Sequence, residues 1–331
     1  MKTRHVILAT VLSATGLIVA CTKNSSTNGG GPSNSNATTT ADVQTQSDDV
    51  TQVSNEFDAA TNDVNNSLNA STTFSGSTSY SGGVVTEGGG GSIDLNLNIC
   101  DGTVTTDTAN GLRQIVITYN GTNCWGNRTR TGVVVISIPL GVRWKDAGAV
   151  VTVDIENLKI TRIRDRKTIT LNGTYSYTNV TGGLLKDLAT LGTITHTISA
   201  DSVTIQFADS ATRTWSVAKQ RVFAYNDGVV VTTTGTHSDG TNNDVAIWGI
   251  NRFGNSFETL ITQPMVIAQS CDFRLTGGQT ETIRPALTLT ITYGLDANGD
   301  PTGCPGSGFY YYKAVWVLNG SGKTYTWIAP Y

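Results

Sequence analysis

The chain has 331 residues, of which 14 % are charged, and its formal net charge is −3. We interpret the Lys and Arg residues as scattered surface charges. Because they form no stripe that could neutralise a phosphate backbone, nucleic acid is not an expected partner. Thr, Ser, Asn and Gly fill most polar positions, which suits the strands and turns of an exported β protein.

The first 20 residues have the pattern of a bacterial lipoprotein signal peptide. A basic start precedes an apolar run from Val6 to Val19 that is too short to span a membrane. Ala20 before Cys21 is the pattern that lipoprotein signal peptidase reads. We therefore expect removal of residues 1–20, lipidation of Cys21, and attachment to the outer membrane on its periplasmic face or the cell surface.

The segment after Cys21 predicts a tether followed by a helix. Residues 21–46 are polar and small, so we expect a disordered tether. Residues 47–70 predict an amphipathic helix, capped by Ser47 or Asp48. Its apolar positions recur at helical spacing: Val50, Val53, Phe57, Ala60, Val64 and Leu68.

The polar face of this helix carries acidic side chains and no basic ones, which argues against binding to an anionic membrane. We expect the helix to dock on the β domain or to associate weakly with another copy. The alternative is a helix that recruits a partner. Residues 71–92 are rich in Ser and Gly and predict a flexible linker.

The β domain is predicted to extend over residues 93–331, where apolar and polar residues alternate. Val151, Val153 and Ile155 show this pattern clearly. Short connections indicate antiparallel pairing. The predicted fold class is all-β: a large antiparallel sheet system of about fifteen strands, preceded by one N-terminal helix. A twisted sandwich and a partly open, barrel-like sheet both fit. A transmembrane barrel is disfavoured because Pro330 interrupts the last strand.

Two pairs of predicted strands are short and close together in sequence. They are residues 192–198 with 202–207, and residues 212–217 with 220–225.

Four cysteines remain after Cys21, and an even number in an exported chain indicates disulfides. Four cysteines allow three pairings. A weak internal repeat favours Cys100 with Cys124 and Cys271 with Cys304, because both segments read cysteine, strand, loop, cysteine, glycine, strand. A metal site is disfavoured because no CxxC motif occurs.

Candidate catalytic residues are sparse, and we expect neither an enzyme nor a cofactor. His196 and His237 lie on separate predicted strands and are interpreted as exposed polar residues. A glycosidase would need two carboxylates facing one cleft. Glu156 and Glu258 are the candidates for that role. A polysaccharide hydrolase therefore stays a minor alternative.

Asp296, Asn298 and Asp300 form a D-x-N-x-D run, which resembles the start of a calcium loop. Pro301 occupies the position where such a loop needs glycine, and the twelfth position holds no glutamate. The run is therefore a weak calcium candidate, and an ordinary hairpin turn is favoured.

Aromatic residues near the C-terminus give the strongest indication of binding. Tyr310, Tyr312, Trp316 and Trp327 fall on neighbouring predicted strands. One sheet face should be core, and the other could present rings to a sugar or a protein partner. We predict a possible binding platform from these four residues.

The chain resembles a family of uncharacterised envelope lipoproteins from Bacteroidota over nearly all of its mature length. The resemblance rests on the helix start Ser47-Asp48-Asp49, the segment Cys124–Gly132, Arg213-Thr214-Trp215 and Cys271-Asp272-Phe273. It implies a lipid-anchored, β-rich protein and assigns no activity.

The expected function is a non-enzymatic binding module for glycans or envelope proteins. A structural or assembly component without a small-molecule site is the alternative. Its helix or an edge strand would then make the contacts.

Overall fold

The computed structural model describes residues 39–75, 99–109, 111–306 and 308–331. The predicted signal peptide, Cys21, the first part of the tether and most of the linker lie outside the described residues. The same is true of residues 93–98 of the predicted β domain.

Helix α1 spans Thr40–Ala70 and begins seven residues before the predicted start at residue 47. The Thr39 hydroxyl accepts the Asp42 backbone N–H at 3.2 Å, and the Asp42 carboxylate accepts the Thr39 N–H at 2.9 Å. This reciprocal cap stabilises an earlier start than Ser47 or Asp48 would. The tether prediction is therefore wrong for residues 40–46.

The predicted linker begins with a short helix, α2 (Thr72–Ser75), instead of flexible chain. Phe74 is fully buried, and its carbonyl accepts the backbone N–H of Trp144 at 2.8 Å. The burial of the Phe74 ring and this backbone hydrogen bond together order the end of the helical segment.

Fourteen strands follow α1 and α2, and 55 % of the chain is strand. In chain order they are β1 (Gly102–Ala109), β2 (Leu112–Thr122), β3 (Arg128–Pro139), β4 (Ala149–Arg162), β5 (Thr168–Asn179), β6 (Thr193–Phe207), β7 (Thr212–Tyr225), β8 (Val229–Gly235), β9 (Val245–Ile250), β10 (Ser256–Ala268), β11 (Arg274–Arg284), β12 (Leu287–Leu295), β13 (Tyr311–Leu318) and β14 (Thr324–Pro330). A short α-helix, α3 (Leu188–Leu191), and two 3₁₀ turns, Leu185–Asp187 and Gln269–Cys271, lie between the strands.

All fourteen strands belong to one antiparallel sheet, so the predicted fold class is confirmed. Neighbours in sequence are neighbours in the sheet, except that β8 and β9 both pair with β10, and β9 also pairs with β7. Among the described residues β1 and β14 are the two ends of the strand order. The arrangement is therefore the partly open, barrel-like sheet and not a two-sheet sandwich.

The sheet curls around α1. Asp63 of the helix accepts a hydrogen bond from Tyr119 of β2, whereas Thr51 bonds to Tyr293 of β12. Thr61 bonds to Tyr175 of β5. A single helix can reach strands so far apart in the strand order only if the sheet bends round it.

Two strands are longer than their sequence pattern predicts. Residues 193–207 form the single strand β6, in which the register shifts between Ala200 and Val203. Residues 212–225 likewise form the single strand β7. In β6 this bulge reverses the inward and outward alternation, which makes one bent strand look like two in the sequence. Strand β7 keeps its alternation, but its inward positions include Lys219 and Arg221, which interrupt the apolar pattern.

The core is formed by the concave face of the sheet and the apolar side of α1. Val50, Val53, Phe57 and Leu68 of the helix are buried in it. Disulfides join Cys100 to Cys124 and Cys271 to Cys304, which is the predicted pairing. None of the described helices combines the length and the apolar character that a membrane crossing requires.

Candidate functional site

The acidic side chains of α1 point into the sheet and meet basic side chains there. The pairs are Asp48 with Arg162 and Lys167, Asp49 with Arg252, Glu56 with Arg128, Asp58 with Lys219, and Asp63 with Arg130. The helix is thus buried on its polar side as well as its apolar side. The alternative of a partner-recruiting helix is wrong for this structure, because Val53 and Phe57 are core residues.

The C-terminal part of α1 ends in a closed ionic network. Arg130 donates to both oxygens of Asp101 at 2.6 Å and to Asp63 at 2.7 Å. The Tyr119 hydroxyl donates to the same Asp63 oxygen at 2.9 Å. Burial raises the pKa of Asp63 despite the charge of Arg130. With its partners in place, this network leaves little capacity for a ligand.

The N-terminal part of α1 borders an open cleft with a volume of about 390 Å³. The helix forms one wall, the β4–β5 hairpin forms a second, and β13 with β14 form the third. The lining residues are Ala41, Gln44, Thr45, Asp48, Arg164, Asp165, Lys167, Tyr312, Trp327, Ala329 and Pro330. Sites for small molecules have volumes of about 300–1,000 Å³, so this cleft is large enough for one.

Five charged groups cluster at the hairpin wall of the cleft. Asp48 accepts hydrogen bonds from Arg162 at 2.8 Å and from Lys167 at 2.7 Å. Arg162 also donates to Asp165 at 2.7 Å. The charged groups that line the cleft are balanced, because Arg164 and Lys167 face Asp48 and Asp165. Arg162 lies outside the lining and adds a third cation, so the ion-paired cluster has one excess positive charge.

Both carboxylates of this wall are held in their ionised form. Burial alone would raise the pKa of Asp48, but the hydrogen bonds and charges of Arg162 and Lys167 outweigh it and lower the pKa. Burial likewise opposes ionisation of Asp165, and Arg162 again lowers the pKa. Neither group is therefore a proton donor at neutral pH.

Arg164 differs from the other cations of the wall. Its guanidinium nitrogens approach Asp48 and Asp165 only to 3.9 Å, which is too far for a hydrogen bond. Burial and the charge of Arg162 lower the pKa of Arg164. Within the described structure, its hydrogen-bond donors are thus directed at the cleft without a close acceptor.

The predicted aromatic platform is wrong for three of its four residues. The four share the concave face, since Tyr312 pairs with Ala329 and Ala314 with Trp327 across β13 and β14. Tyr310, Tyr312 and Trp316 are nevertheless at most 1 % exposed, because this face is the core face.

Trp327 is 40 % exposed, because it lies on the terminal strand β14, where the sheet does not close. Tyr312 lies under the same cleft. Within the described residues its hydroxyl makes no hydrogen bond of ordinary geometry, although Ser47 and Trp327 lie beside it. Burial raises the pKa of Tyr312 to about 12. The cleft thus has an exposed ring on one wall and a buried hydroxyl below it.

The D-x-N-x-D run forms a tight turn, closed by the Leu295–Pro301 bridge, at the start of the long connection between β12 and β13. One carboxylate oxygen of Asp296 accepts the backbone N–H groups of Asn298 at 2.8 Å and Asp300 at 3.1 Å. These hydrogen bonds lower the pKa of Asp296. The carboxylate therefore stabilises the turn, as the hairpin interpretation expects.

The prediction that both histidines are exposed is wrong for His196. It is buried between Trp144, Tyr177 and Phe223, and its Nδ1 lies 2.6 Å from the Tyr177 hydroxyl. Burial lowers its pKa far below the usual value, so the ring is neutral. His237 stacks on Trp248 at 4.1 Å and is half-buried.

The two candidate glutamates of a glycosidase do not face each other. Glu156 on β4 is exposed, and Glu258 on β10 is half-buried beside Asn242. Four strands separate β4 from β10 in the sheet. The pair that a hydrolase would need is therefore not formed by these residues.

The sequence analysis did not identify the charged turn between β4 and β5 as part of a site, although the sequence contains a signal for it. Arg162-Ile163-Arg164-Asp165-Arg166-Lys167 is a dense charged run in a chain of low charge. The interpretation of basic residues as scattered surface charges is wrong here. Five acidic side chains on one helix without basic neighbours gave a second signal, since buried carboxylates need partners.

No family model, curated protein or solved structure matches this chain. The resemblance to the Bacteroidota lipoproteins stays a prediction, and function has to be argued from the geometry of the cleft.

Proposed function

We propose that the protein is a lipid-anchored, non-enzymatic glycan-binding module of the bacterial outer membrane, and that the cleft is its binding site. The observation that carries this proposal is the exposed ring of Trp327 on the wall of an open cleft whose other walls are polar. The lipid on Cys21 would hold the module at the membrane.

The chemistry of the cleft suits a sugar ring. A saccharide has an apolar C–H face, which can lie against an indole, and a rim of hydroxyl groups, which need hydrogen-bond partners. Trp327 offers the indole. Gln44, Thr45 and Arg164 offer polar groups on the facing walls.

The charges of the cleft favour binding over catalysis. Glycoside hydrolysis needs one carboxyl group that is protonated at working pH and a second that is ionised. The pKa values of Asp48 and Asp165 are both lowered. Each carboxylate is also engaged by Arg162.

A test of the proposal is affinity electrophoresis of the mature chain from Thr22 in gels that contain bacterial or plant polysaccharides. We expect retardation by at least one polysaccharide and its loss in Trp327→Ala. Trp125→Ala is the matched control, because Trp125 is also exposed, at 45 %, and does not line the cleft.

Absence of retardation by every polysaccharide would contradict the proposal and favour a protein-binding or structural role. Equal loss of retardation in both tryptophan variants would also contradict it, since the cleft would then have no special part in binding.

A further inference from the structure

We propose that the cleft selects an acidic saccharide, a uronic acid being the simplest class, and that Arg164 binds its carboxylate. This inference rests on the proposed function and adds the chemical class of the ligand and the residue that reads it. It is carried by the charge balance of the ion-paired cluster at the hairpin wall, the unused donors of Arg164 and the position of Trp327.

The charge balance of the ion-paired cluster at the hairpin wall favours an anionic ligand. Arg162, Arg164 and Lys167 contribute three positive charges to this cluster, and Asp48 and Asp165 contribute two negative charges. Arg162 does not line the cleft, but it engages both carboxylates, which leaves the charge of Arg164 without a close counterion. The nearby Asp49 pairs with Arg252 at 2.7 Å. A ligand with one negative charge would make the cluster neutral.

Arg164 is the side chain that carries the excess positive charge. Arg162 is engaged with both carboxylates, and Lys167 donates to Asp48. Arg164 alone has both of its carboxylate neighbours at 3.9 Å. A guanidinium presents a planar fork of N–H donors that matches a carboxylate in a bidentate geometry. Lys167 keeps further N–H donors, but its charge is paired with Asp48 at 2.7 Å. Arg164 is therefore the cation of the cleft lining whose charge has no close carboxylate.

When no ligand is bound, Arg164 lies in an unfavourable electrostatic environment. Its side chain is only 21 % exposed and it neighbours Arg162, and both features lower its pKa. A bound anion would offset this repulsion, so the free energy of binding should contain a favourable term that a neutral sugar lacks.

The positions of Trp327 and Arg164 would orient a bound sugar. Trp327 and Arg164 belong to different walls of one cleft, on β14 and in the β4–β5 hairpin. A sugar ring stacked on the indole would direct one edge at the hairpin. A carboxylate on that edge would meet Arg164.

The test uses pairs of probes that differ only in charge. Oligogalacturonate, oligomannuronate and oligoglucuronate are each titrated into the mature chain beside their methyl esters, by calorimetry at low salt. We expect at least one acid to bind about 10-fold tighter than its ester, which corresponds to about 1.4 kcal/mol. Raised salt should weaken the binding of the acid more than that of the ester.

Arg164→Gln should abolish the preference for the acid, so that the acid and its ester bind with equal affinity. Arg166→Gln is the matched control, because it removes the same charge from the same hairpin at a residue that does not line the cleft. That variant should keep the preference. Thermal unfolding of both variants shows that each is folded.

The outcomes separate the inference from the proposed function. Equal binding of acids and esters, or a preference that survives Arg164→Gln, overturns the inference while glycan binding stands. If neither these probes nor any polysaccharide binds, the proposed function fails, and the inference fails with it.

Discussion

The N-terminal and C-terminal parts of α1 lie in different electrostatic environments, although aspartate and arginine side chains meet at both. Near the C-terminus, Arg130 is hydrogen-bonded to Asp63 and Asp101 in a buried network. Near the N-terminus, Arg164 has no carboxylate within hydrogen-bond distance among the described residues. An arginine that is hydrogen-bonded to buried carboxylates stabilises the fold. An arginine without a carboxylate within hydrogen-bond distance, at an open cleft, is available to a ligand.

The difference follows from where the sheet ends. Strands β2 and β3 cover the C-terminal part of the helix and supply Tyr119 and Arg130. The N-terminal part lies beside β14, a terminal strand of the sheet, and there Trp327 stays partly exposed. The same curled sheet therefore produces a closed interface at one place and a cleft at another.

The largest expected effect comes from removing α1 altogether. The helix buries six large apolar side chains: Val43, Val50, Val53, Phe57, Val64 and Leu68. Each contributes about 1.5–3 kcal/mol on burial, so the loss is of the order of the whole stability of a domain. We expect the chain 91–331 to lack cooperative unfolding by circular dichroism, and the chain 39–331 to show it.

A peptide spanning residues 39–75, added to the chain 91–331, should restore part of the cooperative transition. A well-folded chain 91–331 would show that the interface around α1 is an accessory contact. It would also remove the basis for comparing its two parts.

A smaller effect is expected from breaking the closed network alone. Arg130→Met leaves Asp63 and Asp101 buried without their cation, and such a loss typically costs about 3–5 kcal/mol. Arg164→Gln should cost less than about 1 kcal/mol, because its ion contacts are long and partly solvated. Urea unfolding of both variants measures the contrast, which equal losses would refute.

The smallest effect is a difference in pH dependence between two adjacent aspartates of α1. Burial raises the pKa of Asp49 to about 7 despite Arg252, whereas Arg162 and Lys167 lower the pKa of Asp48. The stability that Asp49 contributes is full below about pH 4 and is lost as the pH rises to about 7. The stability that Asp48 contributes is present at neutral pH and is lost as the pH falls below about 4.

Asp49→Asn should therefore gain stability relative to the wild type as the pH rises from about 4 to about 7. Asp48→Asn should gain relative to the wild type only as the pH falls below about 4. Urea unfolding at a series of pH values measures both differences. Parallel curves for the two variants would contradict the assigned environments.

Much of the fold could be predicted where side-chain alternation is regular. Val151, Val153 and Ile155 alternate with polar residues, and all three face the core of β4. Strand β11 lacks the apolar alternation by which a strand is predicted, because its inward positions include Thr280, Thr282 and Arg284. Polar side chains can face inward there because α1 offers Gln46 as a partner for Arg284.

The cleft could be predicted only in part. Trp327 was a candidate from the sequence, and it is the candidate aromatic that stays exposed. Tyr310, Tyr312 and Trp316 have the same residue types and the same face, yet they are buried. Their position within the curled sheet decides this, and local sequence does not contain that information.

The sequence by itself determined the all-β class and the presence of an N-terminal helix, and it favoured the disulfide partners that the structure contains. Each depends on residue types and spacings that are close together in the chain. Only the tertiary structure decided that the helix lies inside the sheet and that Arg164 is left without a close partner. Those outcomes depend on pairs such as Asp49 with Arg252, 203 residues apart, which meet only because the sheet curls.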